Sequence, residues 1–183
     1  MLCQSNAGLE EEAKVAEEAH TLGLEAEVCD QNRLKELEPN AQINAKGGIW
    51  WPQDCHLSPE DFIQALRDSI LQNGGEFTLG EVEKLDVDHR KVKNVITKSG
   101  EIYSAETIVL AGGIDTTELV KQVDLTLPMQ GGKGYSVTLP EPIANPLLCS
   151  LLKEGRVAVT PMGGTLRVSG TMEICGTDTS VSK

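Results

Sequence analysis

Little in this sequence points to metal, membrane or nucleic acid. Its 183 residues include five cysteines, at 3, 29, 55, 149 and 175, an odd number with no Cys-x-x-Cys pair. That spacing argues against a disulfide framework or zinc site and suits small buried hydrophobes in a reducing compartment. Only three histidines occur, at 20, 56 and 89, unclustered, so no metal-ligand set is visible. Basic residues are scarce, 16 against 28 acidic, for a net charge of −12. Such a balance argues against nucleic acid or an anionic membrane as the main partner. No apolar run approaches the ~18 residues of a membrane span, and Met1 is not followed by a basic region and an apolar core. A soluble, unexported, cytoplasmic chain is expected, with no integral membrane segment.

The length suits about one to two domains. The segment the rest is organised around is Glu101 to Gly113. Within it, Thr107-Ile108-Val109-Leu110-Ala111 is a run of apolar or β-branched residues that stops at Gly112-Gly113. The run predicts a strand buried on both faces, with a buried helix segment as the competing reading; the glycine pair favours the strand. Glycine there permits a positive φ or a close approach to the main chain. A strand delivering bare backbone at its carboxyl end is what a dinucleotide site uses, although an ordinary turn has the same signature.

Met1-Leu2-Cys3 reads as a strand. The pattern from Leu9 to Leu22 is helical, with Glu10, Glu11 and Glu12 expected in the first turn as a solvated face. Asp30 caps a short helix from Gln31 to Leu37, closed by Pro39. Lys46 to Pro52 is a glycine-opened strand holding the only two tryptophans, Trp50 and Trp51, read as core or subunit packing or as a pocket wall. Ser58 and Pro59 open the clearest helix, with Phe62, Ile63, Leu66 and Ile70 as its buried stripe. Phe77 to Leu79, Val82 to Val87 and Val92 to Thr97 continue as strands. After residue 113 the pattern becomes a sheet: Tyr135 to Leu139, then Arg156 to Thr160 and Thr165 to Ser169, joined by the turn Pro161-Met162-Gly163-Gly164. Leu166 and Val168 share one face of the last strand, and Arg167, Ser169 and Thr171 the other.

Taken together, several segments resemble the FAD-dependent D-amino-acid oxidase/dehydrogenase family, nearest to bacterial D-amino-acid dehydrogenases. They are Leu37-Glu38-Pro39; Gly47-Gly48-Ile49 through Pro52-x-Asp54-x-His56-Leu57-x-Pro59; Val82; Thr107 to Gly112; Leu127-Pro128 through Gly132-Lys133-Gly134-Tyr135-Ser136; and Val159 to Gly164 through Arg167, Gly170, Thr171 and Glu173. Their order and spacing over almost the whole chain carry the likeness. A Gly-x-Gly-x-x-Gly turn is not among them. The chain is therefore expected to be an internal fragment, lacking the N-terminal dinucleotide-binding motif and the C-terminal segment of family members.

The resemblance implies an α+β fold. Residues 1–54 and 125–183 would form a substrate domain on an antiparallel or mixed sheet. Residues 55–124 would form a partial FAD-binding layer of helix, strand, β-meander and buried strand. It implies an enzyme in the parent protein that takes a hydride from the amino acid's Cα to the flavin, with the imino product hydrolysing to a 2-oxo acid and ammonia. FAD is the implied cofactor, a small-molecule amino acid the substrate, and oxygen or a quinone the electron acceptor. Val82 matches the position whose backbone meets the adenine. Ala111 and Gly112 match the strand end that passes the cofactor, and Gly113, where relatives often have Ala, extends it. Val82 and the Ala111–Gly112 edge are expected to lie side by side. Tyr135 and Arg167 match the substrate-domain sheet, where Arg167 suits a bidentate carboxylate pair. No catalytic base is assigned, and His56 is read as steadying the helix start. The isolated chain is expected to be inactive and to bind FAD weakly. Glycine, sarcosine or glycerol 3-phosphate as substrate, or a non-catalytic binding module, are the alternatives. Peripheral attachment to the inner membrane in the parent, and homo-oligomerisation, stay open.

Overall fold

The computed structural model describes residues 1–181 and shows a mixed α/β protein with two separate sheets. The chain runs through β1 (Leu2–Cys3), α1 (Asn6–Thr21), β2 (Glu27–Cys29), α2 (Gln31–Leu37) and β3 (Gly47–Trp50). Then come α3 (Pro59–Gln72), β4 (Val82–Asp88), β5 (Lys91–Thr97), β6 (Ile102–Ser104) and α4 (Thr116–Lys121). The last strands are β7 (Gly132–Pro140), β8 (Ser150–Leu152), β9 (Val157–Met162) and β10 (Thr165–Ile174). Two compact units result: Met1–Asp68 with Gly134–Met172, and Ser69–Lys133 with the stretch from Glu173.

The first unit holds the larger sheet, in the order β2-β3-β1-β8-β9-β10-β7. β1 and β8 pair in parallel at Leu2 and Leu152, whereas β1 with β3, β2 with β3, β8 with β9 and β9 with β10 are antiparallel. Its core begins where α2 lies on the strands: Cys29, Leu34 and Ala45 are buried, with Leu2, Leu37, Ile43 and Trp50 packed against them. Asp30 caps α2 by accepting from the Asn32 and Arg33 amides. Arg33 then turns back to Glu27 at 2.8 Å, with its guanidinium 5.5 Å from the Trp50 ring centre. Cys3 and Cys29 are buried, and burial pushes both thiols upward; Cys55 and Cys149 are exposed.

Two local expectations need correction here. α1 starts at Asn6 behind an N-cap, Ser5, whose hydroxyl accepts from the Gly8 amide at 2.9 Å. The first turn therefore holds no acid, and Glu10, Glu11 and Glu12 fall one turn later. Nor are these acids merely solvated, because Lys153 Nζ donates to Glu11 at 2.8 Å and to Glu12 at 2.9 Å. Beside that link, Glu154 accepts from the Gln4 and Ser5 amides and from the Ser5 hydroxyl, at 2.8–3.0 Å. These donors, the Gln4 amide first, hold its carboxyl down to about 2. A carboxylate stabilised in the folded state contributes above its unfolded pKa, ~4.3, and that contribution disappears as pH falls toward the folded value. Between those limits the unfolding midpoint of the native chain is expected to drop, and Glu154→Gln should flatten the drop. Equal slopes in thermal melts of both proteins over that window would refute this.

α3 also departs from expectation. Ser58 accepts from the Asp61 amide at 3.4 Å, but no residue of the helix is buried. Phe62, Ile63, Leu66 and Ile70, the stripe expected inside, are all exposed, Ile63 at 64%. The amphipathic pattern is present without a layer to receive it.

In the second unit β4, β5 and β6 form an antiparallel meander. His89 and Arg90 make the β4–β5 turn with positive φ. Gln122 holds α4 to β4: its side-chain oxygen accepts from the Leu85 amide at 2.9 Å, and its nitrogen donates to the Glu83 carbonyl at 3.0 Å. The buried strand expected over Thr107–Ala111 does not form, since no described strand pairs with it, and Val109 is 80% exposed. An apolar run becomes a strand only where a neighbour takes up its backbone hydrogen bonds. Phe77 to Leu79 lacks a ladder for the same reason.

Candidate functional site

β7, β8, β9 and β10 shape an open groove of about 870 Å³ in the first unit. Tyr135 and Ser136 reach it from β7, Ala158 from β9, and Arg167, Ser169 and Thr171 from β10. Tyr135 and Arg167, singled out in the sequence, thus share one groove. Arg167 Nη2 donates to Ser136 Oγ at 3.2 Å. That bond occupies one of five guanidinium donors and leaves the rest of the exposed fork available.

Sequence reading missed Arg156, which also lines this groove. It closes the turn between β8 and β9, and its φ of +50 lifts it out of regular strand geometry. Thr171, on the same groove, has a φ of +56. A β-branched residue in that region is a genuine outlier, and such strain clusters at sites of function. The one available signal was Gly155-Arg156 at a turn directly before a strand. Among the described residues neither Arg156 nor Arg167 has a carboxylate partner, unlike Arg33. Two uncommitted cations in one groove of a chain carrying −12 favour an anionic ligand.

The remaining predicted residues lie in the second unit. Val82 opens β4, the edge strand of the meander. It stands opposite Thr97, while the Lys98 amide donates to the Glu81 carbonyl at 2.9 Å. This is the non-hydrogen-bonded type of antiparallel pair, so the Val82 N–H and C=O point away from β5 to the free edge. Ala111, Gly112 and Gly113 are exposed main chain just before α4. The Gly112 amide donates to Thr116 Oγ1 at 3.0 Å, and Gly113 has a φ of +60. Gln122 ties β4 to one end of α4, and Thr116 ties Gly112 to the other. Val82 is half-buried at the strand edge, Ala111 to Gly113 are exposed, and the Gly112 amide is already taken up by Thr116.

His56 lines a neighbouring, largely apolar cavity together with Trp51 and Asp54.

Comparison with known proteins gives a consistent picture. The family described as DAO, FAD dependent oxidoreductase, matches residues 1–183. The D-amino acid dehydrogenase of Rhizobium rhizogenes (strain K84) is 31% identical over 160 residues, covering 84% of this chain and 38% of that protein. The D-amino acid dehydrogenase of Vibrio atlanticus is 32% identical over 164 residues, covering 85% and 39%. The chain therefore spans about two-fifths of the length of these relatives. Among solved structures, glycine oxidase from Bacillus cereus superposes with a TM-score of 0.85 at 21% identity, over 99% of this chain and 50% of that one. L-proline dehydrogenase from P. horikoshii gives 0.82 at 18% identity, over 96% and 49%.

Proposed function

The chain belongs to the FAD-dependent oxidoreductase (DAO) family, and on that footing we propose that it supplies the substrate-carboxylate site and one cofactor edge of a D-amino-acid oxidoreductase. The observation that carries this reading is the pair Arg156 and Arg167, without carboxylate partners among the described residues, in one open groove of an acidic chain. Residues 1–54 and 125–183 handle the substrate, and 55–124 meet the cofactor. FAD, when bound, supplies the acceptor for a hydride from the substrate's Cα. The protein's part is positional. Arg167, steadied by Ser136, holds the carboxylate with its planar fork and so fixes the direction in which Cα points. Arg156, which lines the same groove, adds positive potential. Tyr135 walls the site on β7. Val82 meets the adenine edge through its outward N–H and C=O, and Ala111, Gly112 and Gly113 offer main chain without bulky side chains. The exposed stripe of α3 and the unpaired Thr107–Ala111 run support a larger parent protein whose remaining parts cover them.

Two measurements test the reading. The 183-residue chain is expected to purify without stoichiometric flavin and to show no turnover; tight flavin absorbance in the purified chain would contradict this. In the full-length protein, a panel of D-amino acids, glycine and sarcosine is assayed with oxygen and with a quinone. Arg167→Ala there is expected to lower kcat/KM for D-amino acids roughly ten- to a hundredfold, the cost of a lost charged hydrogen-bonded pair. An unchanged kcat/KM would remove Arg167 from the site.

A further inference from the structure

The groove that holds Arg167 does not end at β9. Leu151 and Ala158 line it and also line the second cavity, of about 470 Å³, whose walls include Ile49, Trp51 and Leu148. The register explains the join. Leu151, Ala158 and Ser169 stand opposite one another across β8, β9 and β10, so their side chains project from one face of the sheet. The middle residue of that row carries only a methyl group. Any long side chain at 158 would stand between the two spaces, where alanine places only a methyl group.

The two spaces differ in chemistry. The first offers guanidinium and hydroxyl groups from Arg156, Arg167, Ser136 and Ser169. The second is mostly aliphatic and aromatic, with Asp54 and His56 among its polar groups. Two strand spacings, about 10 Å, separate β10 from β8. A carboxylate carrying a chain of several carbons covers that span, and glycine does not.

We propose that Ala158 determines specificity at this site, by keeping open the passage through which a ligand with its carboxylate at Arg167 extends an apolar side chain toward Ile49, Trp51 and Leu148. The inference rests on the carboxylate reading of Arg167 above and adds the class of side chain to it.

Trp50 and Trp51 are the only tryptophans and both line the second cavity, so the chain's intrinsic fluorescence reports on its filling. The probe is 4-phenylbutyrate and the short control is acetate. The probe is expected to shift tryptophan emission saturably. Acetate should leave emission unchanged while perturbing the Arg167 Nε–H resonance in an NMR spectrum. Ala158→Phe is expected to weaken the probe roughly ten- to a hundredfold, with the acetate response intact; Ala158→Ser, of similar size, should keep probe binding. Unchanged probe affinity in an Ala158→Phe protein with native circular dichroism overturns the proposal, as does the lack of any saturable shift in the native chain. Failure of acetate to perturb Arg167 while the Ala158→Phe effect persists supports the passage and overturns the carboxylate reading instead.

Discussion

Replacing Gly48 by alanine is expected to break the pairing of β1 with β3 and to lower the unfolding free energy of the first unit by about 3 kcal/mol or more. Gly48 sits in the middle of three strands, opposite Leu2 on one side and Cys29 on the other. A Cβ at this position would lie 2.4 Å from the Met1 carbonyl oxygen, a backbone atom that cannot swing aside as a side chain would. That oxygen accepts from the Ile49 amide at 2.9 Å, and the Met1 amino group donates to the Ile49 carbonyl at 2.8 Å. Moving β1 to admit a methyl group therefore breaks bonds as well as packing. Gly155 is the matched control, because an added Cβ there meets Val157 Cγ2 at 3.7 Å and Leu152 Cβ at 3.9 Å, both ordinary contacts. Gly155→Ala should stay within about 0.5 kcal/mol of the native chain. Urea denaturation followed by tryptophan fluorescence reads both, since Trp50 is on the same strand as Gly48. A Gly48→Ala midpoint equal to the native one would show that β1 has room the structure denies it.

What the sequence made legible was the punctuation. Asp30 announced α2, and its helix runs over the expected Gln31–Leu37. Pro161 to Gly164 announced a hairpin, and Gly163 and Gly164 make its turn with φ of +53 and +89. Tyr135 and Arg167 were singled out by the family resemblance, and strand alternation, which needs only local geometry, set Arg167 on the face opposite Leu166 and Val168. Partners distant in sequence were not. The stripe of α3 and the run at Thr107 to Ala111 state what those residues prefer, not what covers them, and in this chain both stand exposed. Lys153 is an unremarkable lysine until the fold brings Glu11 and Glu12 to it from 142 and 141 residues away. Arg156 depends on a positive φ that its sequence neighbours only hint at.

Glu38→Ala should cost about 2–5 kcal/mol, because it takes the shared charged acceptor away from two part-buried backbone donors. An acid between Leu37 and Pro39 at a helix end reads as a surface residue, yet Glu38 is only 5% exposed. Its Oε2 accepts from the Leu147 amide at 2.8 Å and the Leu148 amide at 3.0 Å, about 110 residues away. The segment so held leads straight into β8, and Leu148 is also a wall of the apolar cavity. Glu38 thus joins α2 to the segment before β8 without lining either groove. Its other oxygen, Oε1, is buried with no hydrogen-bond partner among the described residues. Such an arrangement makes the two amide bonds carry the cost of burying the charge. Glutamine keeps an acceptor for both amides but loses charge assistance, worth roughly half the bond strength. Glu38→Gln is therefore expected to cost about 1–2 kcal/mol, well short of the alanine change. Chemical denaturation of the two variants separates the contributions, and amide hydrogen exchange at Leu147 and Leu148 localises them. Protection of those two amides in Glu38→Ala equal to that in the native chain would mean that something other than this carboxylate holds the approach to β8.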